Sequence, residues 1–245
     1  MPKNRFQLWT ITCLSTIALM PSTWAIPQHN NWVANAPPPP TDQGAPRGRS
    51  QGGASRGNCE QYQQLTALVP TVEGRVWGLT ASEHPAFWFY LPSALTTNVS
   101  IEFVLQDKAD RELYRTQFTP TDTQPGLIQL KVPETAPAIE PGQSYVWTLA
   151  IYCDPDQPSE LVFVQGSIQR TSLTTDQQRQ IAAAAPLERS RLYSEFGLWY
   201  DALATLGDLR QTNSAQTEAA WNALLQRAEL EAVSNQPIVS CCTPQ

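Results

Sequence analysis

The chain has 245 residues, 41% of them hydrophobic, with 16 basic and 22 acidic side chains and a formal charge of −6. That length holds one ordinary globular domain with smaller attachments. The acidic balance argues against a nucleic-acid partner, which is held through a concentrated basic face.

Residues 1–25 open with Lys3 and Arg5, continue through the apolar run Phe6–Met20 and end on the small residue Ala25. A charged start, a short apolar stretch and a small-residue exit describe a secretory signal peptide. An uncleaved anchor would want a charged stop-transfer flank, which does not follow. No later apolar run has the length of a membrane span, so no integral membrane segment is expected once the signal is cleaved. Removing Lys3 and Arg5 leaves 14 basic against 22 acidic residues, a charge of −8.

Residues 26–58 are rich in Pro, Gly, Ser and Asn with few large apolar side chains, the composition of a disordered linker. Pro37–Pro40 should be a stiff polyproline stretch, and Arg47, Arg49 and Arg56 read as part of a solvated spacer.

Residues 59–172 carry a period of two. Val99, Ile101, Phe103 and Leu105 share one face; so do Ile128, Leu130 and Val132, and so do Tyr145, Trp147, Leu149, Ile151 and Cys153. With LTALVP, FWFYLP, Tyr114–Phe118 and LVFVQGSIQ this makes about seven short strands divided by turn signals. The pattern predicts an immunoglobulin-like antiparallel β-sandwich.

In residues 173–232 the period becomes 3.6 and an α-helical region is expected, giving an α+β chain. Thr174 or Thr175 can cap a helix through DQQRQIAAAA, Pro186 suits the first turn of a second, and Gly197 breaks it. A third helix presents Trp199, Leu203 and Leu206. Asn213 or Ser214 caps a last one burying Trp221, Leu224, Leu225 and Ala228. LYSEFGLWYDALATL is similar to one tetratricopeptide hairpin, with no second copy to stack on it. Residues 233–245 form a tail with a cysteine pair.

Of five cysteines, Cys13 falls in the signal. Cys59, Cys153, Cys241 and Cys242 remain as disulfide candidates, an even number in a compartment that permits bridges. Adjacent cysteines bond to each other only through a small strained ring. The favoured pattern therefore ties Cys241 and Cys242 separately to Cys59 and Cys153, each bridge worth roughly 4 kcal/mol on chain entropy.

Side chains with chemistry are sparse. His84, in SEHPAFWFY, is the one histidine of the expected folded part, and it lacks a plausible local partner for a hydrolase. No nucleophile elbow, phosphate loop or HExxH motif occurs, so no catalytic residue is assigned. No metal ligand set stands out, CxxC spacing is missing and no cofactor is expected. Asp154, Asp156 and Glu160 offer oxygens to calcium, although a strand-joining turn uses the same residue types. Trp88 and Tyr90 point opposite to Phe87 and Phe89. Left exposed they would stack on sugar rings, and covered by the C-terminal helices, the plainer reading, they would not.

The motifs RGRSQGGASRGNC, LTALVP, HPAFWFYLP, IEFVLQD, PGLIQLKVP, YVWTLAIYCDP, VQGSIQR, GLWYDALATL and IVSCC, in this order, resemble the cyanobacterial family known as domain of unknown function 928. The resemblance runs from about residue 45 onward and implies an exported protein with no catalytic residue to carry over. Ser167 departs from it, since similar sequences tend to hold a tryptophan there. The expected object is an exported protein of the periplasm or cell surface, a non-catalytic interaction or structural component whose partner is an envelope protein or a glycan. A carbohydrate-binding module is the alternative, and a hydrolase with an unrecognised site near His84 a second one.

Overall fold

Alternating apolar residues build nine strands in this computed structural model, which describes residues 50–52, 59–96, 99–118, 123–154, 156–210 and 214–241 together with Met1, Pro38 and Pro39. The expected signal peptide and almost all of the expected linker lie outside the described residues. A three-stranded sheet has the order β1 (Thr66–Ala67), β4 (Ala86–Leu91), β7 (Gly126–Lys131). A six-stranded sheet has the order β2 (Thr71–Val72), β3 (Arg75–Thr80), β9 (Leu161–Arg170), β8 (Ser144–Tyr152), β5 (Ser100–Asp107), β6 (Glu112–Phe118). Among the described residues no helix is long and apolar enough to cross a membrane.

The expectation of a wholly antiparallel arrangement is corrected at one pair. β3 runs parallel to β9, with Trp77 opposite Ser167 and Thr80 opposite Arg170. Parallel neighbours need a long crossover, and most of the chain between residues 80 and 161 provides it. β2 and β3 are also the strands that the seven-strand reading lacks. RVWGLT puts a glycine inside the run, so its alternation of Val76 against Trp77 is broken early.

The sheets meet through aromatic rings. Phe87 of β4 lies 5.0 Å from Phe103 of β5 and 5.8 Å from Trp147 of β8, and Phe89 lies 5.7 Å from Trp147. Such tilted and edge-on pairs add about 0.5–1.5 kcal/mol each beyond their buried area.

Five helices follow: α1 (Thr175–Ala183), α2 (Pro186–Glu195), α3 (Trp199–Arg210), α4 (Ala215–Arg227) and the one-turn α5 (Glu231–Ser234). Their boundaries follow local chemistry. Thr174 and Gln177 make a reciprocal capping box on α1, Pro186 opens α2, Gly197 with φ 76° ends the second helical stretch, and the Ser214 hydroxyl accepts from Thr217 N–H on α4. Only α5 is additional to the expected four segments.

α3 belongs to the same core as both sheets. Trp199 Nε1 donates to the Leu68 carbonyl at 2.8 Å. Trp147 Nε1 donates to the Tyr200 hydroxyl at 2.8 Å, and that hydroxyl donates to the Ser167 carbonyl at 3.2 Å. Burial holds the Tyr200 phenol far above its ordinary range, so it remains a donor. At its other end α3 approaches the small sheet so closely that a Cβ on Gly207 would stand 2.1 Å from Trp88 Cζ2.

The disulfide pairing differs from the favoured one. Cys59 bonds Cys153, with Cα atoms 5.5 Å apart and a sequence separation of 94. A one-turn 3₁₀ helix at Glu60–Tyr62 starts beside the end of β8, so the two cysteines are brought together by the body of the fold, with no need of the tail. Cys241 is disulfide-bonded as well, and Cys242 lies outside the described residues.

Two stability outcomes follow from this packing. Gly207→Ala, which in an open helix would gain about 1 kcal/mol, is expected to lose about 1–3 kcal/mol through overpacking on the Trp88 ring; urea denaturation reads the sign. Replacing Cys59 and Cys153 together by alanine removes a long-loop constraint and is expected to cost roughly 4 kcal/mol in the same measurement.

Candidate functional site

After α5 the chain returns to the small sheet as a short strap. Leu127 N–H donates to the Pro237 carbonyl at 2.7 Å and Val239 N–H donates to the Leu127 carbonyl at 2.9 Å, a parallel bridge centred on Ile238. The root of the strap is fixed by Trp221 Nε1 donating to the Ser234 carbonyl at 2.9 Å and by Arg210 Nη1 donating to the Gln236 carbonyl at 3.0 Å. Gly126 admits it: with φ 152°, a Cβ there would meet the Pro237 oxygen at 2.5 Å and Val239 Cγ1 at 2.8 Å. A run of three apolar residues, Pro237–Val239, is the sequence signal for this element, and it is too short for period analysis to pick out.

Between the strap, β4, β7, α3 and α4 opens a cleft of about 630 Å³. Its walls include Trp88, Gln129, Arg210, Glu218, Ile238 and Ser240. Arg210 Nε donates to Glu218 Oε1 at 2.8 Å, and the guanidinium lies 5.1 Å over the Trp221 ring. The cation is therefore neutralised within the wall. Trp88 is the unusual member. Its Nε1 is buried with no hydrogen-bond acceptor, whereas the indole N–H groups of Trp147, Trp199 and Trp221 all donate. An orphaned buried donor costs about 1–3 kcal/mol.

The residues singled out from sequence fall in separate places. Trp88, the first stacking candidate, is 2% exposed, under Gly207 and 5.6 Å from the Trp221 ring, so it offers no face to a sugar. Its strand position sets it on the outer face of the small sheet, and α3 and α4 cover that face. Tyr90 is half-buried against the core. Asp154, Asp156 and Glu160 do not converge on a common point: Asp154 Oδ1 accepts from Asp156 N–H and Oδ2 from the Gln157 amide, the bonds of a turn. Among the described residues no group of three His, Cys, Asp or Glu could hold a metal ion.

His84 opens β4 with Nε2 2.9 Å from the Ala136 carbonyl, which can only accept, so Nε2 carries a proton. Around it the 80–84 loop is bound on all sides. Arg170 Nη1 donates to the Ile139 carbonyl at 2.9 Å and Nη2 to Glu83 Oε1 at 2.8 Å. Ala81 N–H donates to Asp201 Oδ2 at 2.9 Å, fastening α3 to the end of β3. Sequence reasoning missed Asp201, whose place in the first turn of a helix looks like ordinary dipole compensation.

Burial pushes the Asp201 carboxyl up from 3.8 to about 6, although hydrogen bonds from Ala81, Thr80 and Ser82 pull it down. Between those values the folded chain keeps a proton that the unfolded chain has lost. The contribution of Asp201 to stability therefore falls as pH rises from about 4 to about 6 and is level above. Relative to Asp201→Asn, the wild type is expected to lose up to roughly 3 kcal/mol across that window, measured by urea denaturation of both at each pH.

No curated protein and no solved structure matches this chain. The family model described as Domain of Unknown Function (DUF928) matches residues 51–238, most of the chain and, among the described residues, all nine strands and five α-helices, so the chain belongs to that family.

Proposed function

We propose that the protein is an exported, non-catalytic interaction component of the cell envelope. The observation that carries this reading is how polar groups are used. His84, Arg170, Glu83 and Asp201 are spent on contacts that hold elements together, while the cleft beside the C-terminal strap keeps a buried donor, Trp88 Nε1, without an acceptor. A neutralised cleft suits recognition more than bond cleavage. The signal-like residues 1–25 and the Cys59–Cys153 bridge favour an oxidising compartment.

On this reading residues 1–25 are removed, 26–58 act as a spacer, 59–172 form an immunoglobulin-like sandwich and 173–232 a helical region whose α2–α3 hairpin is tetratricopeptide-like. The 233–245 tail then belongs to the recognition surface. The facing aromatic sheets and the tight Gly197 junction support these descriptions.

Photo-crosslinking of the purified protein in envelope extract, followed by reconstitution of each captured pair from purified components, tests the proposal. The expected result is a binary complex with one identified envelope protein. Glycan-array binding without any protein partner would overturn it, as would hydrolytic turnover that His84→Ala abolishes.

A further inference from the structure

A strand alternates the direction of its backbone groups, so the strap that pairs with β7 has a second edge. Pro237 and Val239 turn their carbonyl and amide toward Leu127. Ile238 and Ser240 therefore turn theirs away from β7, and no described group bonds either amide. With the strap in place, the edge of the small sheet on this side is no longer β7 but the Ile238–Ser240 backbone. Unpaired edges of this kind are templates for another strand.

The edge does not face bulk solvent alone. It borders the 630 Å³ cleft, whose opposite walls are Trp88, Arg210 and Glu218. This wall has a cation already matched by an anion, with Arg210 only 11% exposed. A charged ligand would find no net charge to complement. An uncharged extended peptide would suit this surface: its backbone pairs with Ile238 and Ser240, and a side chain enters the neutral cleft.

We propose that the outward edge of the C-terminal strap, at Ile238 and Ser240, together with the cleft beneath it, receives an extended uncharged peptide segment of another protein by strand addition. The assignment rests on the interaction reading above and names the surface and the partner class. The fold prepares the edge: Gly126 lets the strap approach, and Arg210 and Trp221 hold its root.

The test uses the ¹⁵N-labelled protein and an acetylated, amidated Ser-Val-Thr-Val-Ser peptide as the probe. Added to about 10 mM, a range suited to a weak backbone-only ligand, it is expected to shift the Ile238 and Ser240 amides and the Trp88 indole N–H. Ser240→Pro removes one outward donor but leaves both bonds to Leu127, so it should melt like the wild type and bind about tenfold more weakly. No shift at these positions, or equal binding by Ser240→Pro, would sink the proposal. A concentration-dependent dimer that Ser240→Pro abolishes would give the edge to a second copy of this chain and also overturn it. An envelope partner that binds Ser240→Pro as well as wild type removes this surface while leaving the interaction reading standing. Peptide binding with no envelope partner does the reverse.

Discussion

A three-stranded sheet is too narrow to cover a six-stranded one. β1, β4 and β7 lie over β5 and β8 through the Phe87, Phe89, Phe103 and Trp147 rings. The inner face toward β3 and β9 would be left wet, and an uncovered sheet face cannot repay the entropy of ordering its strands. α3 supplies the missing width. Its first residues, Trp199 and Tyr200, come against β3 at Gly78, where a Cβ would stand 3.0 Å from the Tyr200 ring. The helical region is thus part of the core that the two sheets share, and a cut between residues 172 and 173 would divide one hydrophobic cluster.

Closing the core with large aromatic side chains creates a second obligation, because each buried indole brings an N–H that must find an acceptor. The fold meets it with long-range bonds: Trp147 to Tyr200, Trp199 to the Leu68 carbonyl and Trp221 to the Ser234 carbonyl. The first two tie together elements far apart in sequence, and the third fastens α5 to α4, so the same residues that fill volume also specify register. Trp88 stands outside this pattern. Its ring is wedged under α3 and its donor is left over at the border of the one region where strap, sheet and helices do not close on each other.

Local chemistry was readable from the chain, and contacts across it were not. The Thr174 capping box, Pro186 at the start of α2, Gly197 and the Ser214 cap act within one turn, so side-chain type alone places them. The long alternating strands β5 and β8 are legible for the same reason. β3 was not, because its pairing with β9 is parallel and its glycine interrupts the alternation. The disulfide needed knowledge of where β8 ends relative to Cys59, which no spacing carries. For the candidate site the position of Trp88 on the outer sheet face could be read, but its cover by Gly207 and the roles of Asp201 and the strap depend on how α3 is docked.

The outer strands of the small sheet, β1 and β7, are each bridged by a segment from an opposite end of the fold. Gln51 bridges to Thr66 beside β1, and Ile238 bridges to Leu127 beside β7. Gln51 precedes every strand in the chain, whereas Ile238 follows all nine strands and the five α-helices. Whenever the strap is undocked, β7 has an open edge, the kind of surface that pairs with a neighbouring chain. A few residues late in the chain thereby guard a strand formed more than a hundred residues before them.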